Sequence, residues 1–270
     1  MRLIRFLDSV NQLHYGVQQE PDAPSALRIQ GDPFANYTVT HQLVAIKKLL
    51  APVAPPAVMC IGTNYRKHAE ETGAKIPEFP VLFMKNPAAV QNPGDPILIP
   101  THLASEQVDW ECELAIVIGK RAKNVSRERA LEHVLGYTCA NDVSARDWQR
   151  QWGGSQWCRG KTFDTFCPLG PAIITTDDIP NPNALRIQTK RNGQLVQDSS
   201  TADMIFDVPA LVAFLSGSTT LLPGTVILTG TPSGVGMAMT PPQFLKPGDT
   251  VTISIEKIGD LTNPVQREPS

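Results

Sequence analysis

Prolines along the whole chain place the strongest limit on its fold. The sequence contains 24 prolines, more than its 19 glycines, and many of them lie between short apolar runs. Proline lacks a backbone N–H and fixes φ, so it interrupts helices and central strands. This distribution predicts many brief strands joined by ordered turns and argues against long helices.

Local apolar patterns predict where these elements lie. The predicted strands after the proline-rich segment 51–56 are Val58–Ile61, Val81–Met84, Ile97–Ile99, Glu113–Ile118, Ala172–Thr175, Leu185–Lys190, Thr225–Thr229 and Val251–Glu256. The predicted helices are Gln42–Leu50, Tyr65–Thr72, Arg127–Leu135, Ser144–Trp152 and Val208–Ser216. Before residue 42 we expect a short strand and a polar loop. Frequent strands with few helices indicate an α+β fold that is mainly β.

Size, charge and hydrophobicity exclude several functional classes. With 270 residues, of which 41% are hydrophobic, the chain can bury one catalytic-sized core with a small appendage. Lys and Arg total 24 against 26 Asp and Glu, so the net charge of -2 lacks the basic excess of nucleic-acid-binding proteins. No apolar stretch approaches the roughly 18 residues of a membrane span. We therefore expect neither a nucleic-acid nor a membrane partner.

Cysteine usage and the first residues bear on the compartment. The five cysteines are an odd number without a C-x-x-C pair, which argues against a disulfide framework or a zinc ribbon. This usage favours a reducing compartment. Residues 1–6 show neither a signal-peptide core nor a transit-peptide pattern. The sequence thus predicts a cytoplasmic location.

Two acidic residues share one face of a predicted strand. In the run Asp109–Gly119, the two-residue period of a strand puts Glu111 and Glu113 on the same face. Their flank is apolar, so the two carboxylates would repel each other at a high cost unless a cation lies between them. A solvated polar face is the commoner origin of such a pair, and this pair alone leaves both interpretations open.

A third carboxylate favours the metal interpretation. Asp142 follows the apolar run Gly136–Asn141 and so lies at the end of a strand. Three carboxylates without a partnered His or Cys form a hard oxygen site, which suits Mg²⁺ first, and Mn²⁺ or Ca²⁺, better than zinc. Three protein ligands also leave positions for water or a chelating substrate, as a catalytic site requires.

Two further segments carry candidate catalytic groups. His68 and Glu71 lie three residues apart in a predicted helix, so the carboxylate can orient the imidazole as a general base. A surface histidine beside exposed acids is the alternative. Lys161 follows Gly160 and can bind a substrate carboxylate or an enolate, although a surface ion pair would use the same residue.

The glycine-rich segment Leu228–Gly236 is not predicted to bind a nucleotide. No Lys-Ser or Lys-Thr pair follows its last glycine, and no dinucleotide pattern fits it. Its backbone N–H groups and the Thr231 hydroxyl can instead hold a small carboxylate. A tight turn at a strand end would also need these glycines, and both interpretations can hold.

Five sequence motifs, in a fixed order along the chain, contain these candidate residues. They are the pair His68 and Glu71 and the segments Asp109–Lys120, Ala140–Gln149, Gly160–Pro171 and Leu228–Gly236. Together, from about Val58 to Pro264, they resemble the fumarylacetoacetate hydrolase superfamily. With Pro241–Asp249, the chain is most similar to the domain-containing branch associated with oxaloacetate tautomerase activity.

This resemblance implies a fold, an assembly and residue roles. It implies a mixed β-roll catalytic domain over residues 57–266, a small N-terminal domain over residues 1–52, a homodimer, and a Mg²⁺ or Mn²⁺ centre. The implied metal ligands are Glu111, Glu113 and Asp142, the implied catalytic residues are His68, Glu71 and Lys161, and the implied substrate contacts include Gln149 and Thr231. One position departs from the family, because Gly153 stands where the hydrolase itself has a tyrosine.

The expected chemistry starts from an enolate. A 2-oxo acid that chelates the metal has acidified C3 protons, because the cation stabilises the developing enolate. We therefore expect a metal-dependent enzyme acting on small 2-oxo acids, with oxaloacetate keto–enol tautomerisation ranked first. Hydrolysis of acylpyruvate or fumarylpyruvate ranks second and oxaloacetate decarboxylation third. A non-catalytic, metal-stabilised binding domain ranks last.

Overall fold

Strands dominate the architecture, which a computed structural model describes for residues 1–269. The strands are β1 Arg2–Leu7, β2 Leu13–Val17, β3 Ser25–Gly31, β4 Tyr37–Ala45, β5 Lys48–Leu50, β6 Val58–Gly62, β7 Val81–Lys85, β8 Val90–Gln91, β9 Ile97–Ile99, β10 Val108–Asp109, β11 Cys112–Ile118, β12 Val134–Asn141, β13 Ser144–Ala145, β14 Cys167–Thr175, β15 Arg186–Arg191, β16 Gln194–Ser200, β17 Val226–Leu228, β18 Thr250–Ile255 and β19 Gly259–Arg267.

Helices are short. The α-helices are α1 Arg66–Thr72, α2 Cys158–Lys161 and α3 Val208–Ser216. Single 3₁₀ segments span Pro87–Ala89, Arg127–His133, Pro182–Ala184, Thr201–Asp203 and Gly236–Ala238, and a π-helical segment spans Trp148–Trp152.

Two mixed sheets form the body of the fold. The larger sheet has the strand order β4-β3-β2-β1-β14-β12-β11-β17-β6-β7, with β5 beside β1 and β8 beside β14. The smaller has the order β16-β15-β18-β19-β9, and β10 and β13 form a separate two-stranded ribbon. Most neighbours are antiparallel, but β6 runs parallel to β17 and β9 runs parallel to β19. The predicted α+β, mainly β fold is confirmed.

Strand β11 crosses the centre of the molecule and is buried on both faces. Leu114 and Ile116 pack into the core cluster that also contains Ile187 and Ile253 of the smaller sheet. Ala115 and Val117 point the opposite way, into a second core on the other face of the larger sheet. The two-residue period therefore puts Glu113 on the side of Ala115, away from the core between the two sheets.

The predicted helix Gln42–Leu50 is wrong. This segment forms the end of β4 and all of β5, which pair with β3 and β1. Leu43, which a helix would have buried, is 61% exposed. Pairing between strands outweighs the local helical pattern here. Strand β1 also pairs with β14, so the first strands continue the larger sheet. The division into residues 1–52 and 57–266 stays a prediction.

Two predicted helices near residue 65 and residue 208 are confirmed as α1 and α3. The predicted helix Arg127–Leu135 is wrong beyond its first turns, because a 3₁₀ segment ends at His133 and β12 begins at Val134. The predicted helix Ser144–Trp152 begins as strand β13 and becomes π-helical from Trp148. In both segments the apolar pattern suits a helix, but part of the segment pairs with a neighbouring strand instead.

The five cysteines are free thiols, so the prediction that they form no disulfide framework is confirmed. Cys60, Cys112, Cys139 and Cys167 are buried, and Cys158 is partly exposed. Among residues 1–269, no helix has both the length and the apolar character needed to cross a bilayer.

Candidate active site

A cavity of about 350 Å³ collects most of the predicted site residues. It lies beside the start of β11, and its wall also includes α1 and the π-helical segment. The predicted residues that line it are His68, Glu111, Glu113, Gln149, Lys161 and Thr231. Its volume is within the range of small-molecule sites.

The backbone brings three carboxylates together at one end of this cavity. Oxygen atoms of Glu111, Glu113 and Asp142 lie within 4.8 Å of one another, and all three residues are buried. The chain after β12 fixes this arrangement, because the Asp142 N–H donates to the Glu111 carbonyl oxygen at 2.9 Å. In return, the Glu111 N–H donates to Oδ1 of Asn141 at 3.0 Å. Oε2 of Glu113 accepts a 2.6 Å hydrogen bond from the N–H of Gly230.

Three buried cations surround the carboxylates. Nζ of Lys161 lies 2.8 Å from Oε2 of Glu111 and 2.8 Å from Oδ2 of Asp142. Nη1 of Arg146 lies 2.6 Å from Oε1 of Glu111, and Nζ of Lys85 lies 2.6 Å from Oδ1 of Asp142. A fourth acid, Asp109, lies 2.9 Å from Nη2 of Arg146. We call these residues the buried charge cluster: Lys85, Asp109, Glu111, Glu113, Asp142, Arg146 and Lys161.

Glu111 and Glu113, on either side of Cys112 at the start of β11, have opposite pKa shifts. Burial, together with the nearby charges of Asp142 and Glu111, raises the pKa of Glu113 well above its ordinary value. Burial also opposes ionisation of Glu111, but Lys161 and Arg146 reverse that effect and lower its pKa. Burial likewise disfavours the charged form of Lys161, yet Asp142 and Glu111 raise its pKa. Within the cluster, the carboxyl group of Glu113 is therefore the one whose negative charge the neighbouring cations do not balance.

The donor set fits a hard divalent cation. Glu113 is 1% exposed, and burial, together with the nearby charges of Asp142 and Glu111, raises its pKa. Oδ1 of Asp142 is also buried. It forms an ion pair with Lys85, but within residues 1–269 it accepts no well-aligned hydrogen bond. Buried carboxylates whose charge is poorly compensated are stabilised by an added positive charge. Oxygen donors suit Mg²⁺, Mn²⁺ or Ca²⁺.

Helix α1 brings the histidine and its glutamate to the cavity mouth. Nδ1 of His68 lies 3.3 Å from Oε2 of Glu71, and Oε1 of Glu71 accepts a 2.9 Å hydrogen bond from the N–H of Gly234. The helix ends at Gly73, whose φ of 66° suits a residue without Cβ. The Glu71 carboxylate thus connects the His68 imidazole to the glycine-rich segment after β17. His68 is largely shielded, with 14% of its side chain exposed.

The two predicted substrate contacts are held by neighbouring side chains. Oε1 of Gln149 accepts a 3.0 Å hydrogen bond from Nη1 of Arg146. Oγ1 of Thr231 accepts a 2.9 Å hydrogen bond from Nε2 of Gln197, whose Oε1 accepts one from Thr189. Both residues are nearly buried and both line the cavity. They can therefore present fixed polar atoms to a bound molecule.

Sequence reasoning missed three members of the buried charge cluster, which are Lys85, Asp109 and Arg146. Arg146 lies within a motif noted above, but its spacing from the acids indicates no role. Lys85 ends an apolar run and carries no motif; its Nζ donates to the carbonyl oxygens of Val143 and Lys161 as well as pairing with Asp142. Only the fold brings these residues to the carboxylates, because Lys85 is far from Asp142 in sequence.

Comparison with known proteins gives a family match. Residues 57–266 match the family described as Fumarylacetoacetate (FAA) hydrolase C-terminal. The chain is 52% identical over 218 residues to a protein of Xenopus laevis named as a mitochondrial oxaloacetate tautomerase, covering 80% of this chain and 68% of that protein. A human protein, also named as a mitochondrial oxaloacetate tautomerase, is 48% identical over 217 residues, with the same coverage of 80% and 68%.

Solved structures share the fold over the whole chain. A structure named 2-hydroxyhepta-2,4-diene-1,7-dioate isomerase from Mycobacterium marinum has a TM-score of 0.85 at 40% identity and covers 100% of both chains. A fumarylacetoacetate hydrolase from Exiguobacterium antarcticum has a TM-score of 0.83 at 37% identity, covering 99% of this chain and 100% of that one. The first 56 residues, outside the family match, are thus included in both structural matches.

Proposed function

Because this chain belongs to the fumarylacetoacetate hydrolase family of enzymes, we propose that it is a metal-dependent oxaloacetate keto–enol tautomerase. One observation carries the proposal. His68, Glu111, Glu113 and Lys161 line one cavity. Asp142 lies next to the two glutamates and Lys161, and Glu71 contacts His68. The relatives named as oxaloacetate tautomerases support the choice of reaction, in agreement with the resemblance of the motifs.

We propose Glu111, Glu113 and Asp142 as the residues that hold the cation. Mg²⁺ is our first choice, followed by Mn²⁺ and Ca²⁺, because all three ligands are oxygen donors. A divalent cation at this position supplies the positive charge that stabilises the enolate of a 2-oxo acid. Asn141 and the backbone of Asp142 hold Glu111 in place, so the ligands are fixed before any substrate binds.

The remaining residues bind the substrate and move its proton. Lys161, buried and positively charged, contacts the 2-oxo acid and stabilises its oxygen, while Gln149 and Thr231 fix its orientation. His68 exchanges a proton with the substrate, as acid on one side of the reaction and base on the other. Glu71 orients the imidazole through Nδ1, and Gly234 in turn holds Glu71.

Carbon–carbon bond cleavage is a weaker candidate. The hydrolase has a tyrosine at the position of Gly153, and a Cβ at Gly153 would collide with the carbonyl oxygens of Trp148 and Gln156. A tyrosine therefore does not fit this backbone. Incubation with enol-oxaloacetate and, separately, with acylpyruvate tests the choice: we expect fast enol decay and little cleavage. Cleavage that outpaces enol decay would favour the hydrolase.

The assembly and compartment of this chain are also proposals. The family resemblance supports a homodimer. Five free cysteines support a reducing compartment, and both cytoplasm and the mitochondrial matrix provide one. Our prediction of a cytoplasmic location stays a prediction beside relatives whose names place them in mitochondria.

Metal binding is expected to release a proton from Glu113. Its pKa in the folded protein is raised above the ordinary value of 4.5, so without metal its protonated form adds stability that is present below about pH 4.5 and is lost as pH rises through the raised pKa. A cation must displace that proton, so metal affinity increases with pH. Calorimetric Mg²⁺ titration in buffers of different ionisation enthalpy counts the protons. Glu113→Gln is the matched control, and equal enthalpies in all buffers would contradict the prediction.

Residues 65–80 are expected to act as a lid over the cavity. Thr72, Gly73 and Ala74 line its mouth, and the chain beyond them to Pro80 is largely exposed. Glycine- and proline-punctuated segments of this kind open and close over active sites. Oxalate, which mimics an enolate, should slow amide hydrogen exchange in residues 65–80 when Mg²⁺ is present. The exposed segment 192–195 serves as an internal control, and identical exchange with and without ligand would rule out the lid.

A further inference from the structure

Arg150 differs from the other cations that line the cavity. It lies one residue after Gln149 on the π-helical segment and is exposed. Within residues 1–269 its side chain forms no ion pair and no hydrogen bond. Arg146 and Lys161, by contrast, each contact two carboxylates. The charge of Arg150 is therefore available to a ligand in the cavity.

The charge balance of the site leaves a role for this cation. The buried charge cluster holds four carboxylates and three cations when all are ionised, so one negative charge is in excess. A bound divalent cation turns that excess into one positive charge. The single carboxylate of a 2-oxo acid head group then neutralises the site. A second carboxylate on the same substrate needs one more cation, because an unpaired charge next to a buried site is costly.

From this balance we infer that Arg150 binds the distal carboxylate of the substrate and selects dicarboxylic over monocarboxylic 2-oxo acids. The inference rests on the proposed function. The position fits, because the carboxylates are buried at the inner end of the cavity and Arg150 is exposed at its wall. A substrate whose 2-oxo acid head lies at the carboxylates extends its tail outward. A guanidinium group pairs with a carboxylate through two parallel hydrogen bonds, which lysine does not reproduce.

The test separates recognition of the tail from recognition of the head. Both carboxylates of oxalate lie in the chelating head, whereas enol-oxaloacetate also carries a carboxylate beyond its head. For Arg150→Gln with Mg²⁺ present, we expect KM for enol-oxaloacetate to rise about 10-fold to 100-fold, as for loss of charge-assisted hydrogen bonds. The inhibition constant of oxalate should change less than about 3-fold. Arg150→Lys should lie between wild type and Arg150→Gln.

Arg159→Gln is the matched control, since it removes the same charge from an exposed arginine of the next helix that packs over Phe163. It should leave KM unchanged. Equal loss of oxalate and enol-oxaloacetate binding in Arg150→Gln, or no change in either, would overturn the inference while the proposed function stands. If wild-type protein with Mg²⁺ neither binds oxalate nor turns over enol-oxaloacetate, the proposed function fails and this inference fails with it.

Discussion

Glu113→Ala is expected to abolish turnover and to lower Mg²⁺ affinity by more than about 100-fold, because loss of a direct ligand should exceed the effect of losing an outer partner. The fold should survive. Glu113 is paired with the N–H of Gly230, and burial together with two neighbouring acids raises its pKa, so without metal its neutral form is favoured and its removal leaves no buried charge unpaired. Calorimetric titration and thermal unfolding measure the two effects.

A surface glutamate provides the control for this variant. Glu128 is exposed and does not line the cavity, so Glu128→Ala should bind Mg²⁺ and turn over substrate as wild type does. Wild-type Mg²⁺ affinity in Glu113→Ala would sink the assignment of this ligand. A Glu113→Ala protein that is unfolded would contradict the expectation that the fold survives without this side chain.

His68→Ala is expected to lose about 10²-fold to 10⁴-fold in kcat, the usual contribution of a general acid–base group. Mg²⁺ affinity should stay close to wild type, because neither His68 nor Glu71 belongs to the buried charge cluster. Glu71→Gln should reduce the rate less, since the amide still accepts a hydrogen bond from the imidazole but cannot stabilise the imidazolium. Enol decay followed against pH measures these rates.

The control for the histidine is His102→Ala, because His102 is exposed and does not line the cavity. That variant should retain the wild-type rate and pH profile. If His68→Ala tautomerises as fast as wild type, the acid–base role is refuted, and Lys161 or water becomes the proton carrier. If His68→Ala instead loses Mg²⁺ affinity, its role is to support the metal site.

The carboxylate site could be predicted from the sequence because local backbone geometry brings its residues together. A strand period of two puts Glu111 and Glu113 on one side, and the end of the next strand puts Asp142 beside them. Helix α1 likewise places His68 and Glu71 on one face. In each case, the residues that must meet are close in sequence or lie on paired neighbouring strands.

The remaining features depend on contacts that no local pattern encodes. Lys85 reaches Asp142 only because β7 lies at the edge of the larger sheet beside the chain that follows β12. The end of β4 and all of β5 were predicted as a helix because the apolar spacing of residues 42–50 suits one, yet pairing with β3 and β1 decides their form. In the second case, tertiary pairing outweighs local propensity.

The most direct test of the central claim is the decay of enol-oxaloacetate with purified protein, first stripped with EDTA and then given Mg²⁺. We predict a rate no faster than buffer after stripping, full recovery on Mg²⁺ addition, and no recovery in Glu113→Ala. Decay at the buffer rate with Mg²⁺ present would contradict tautomerase activity. Enzyme-accelerated decay that survives both EDTA and the loss of Glu113 would contradict its dependence on the carboxylate site.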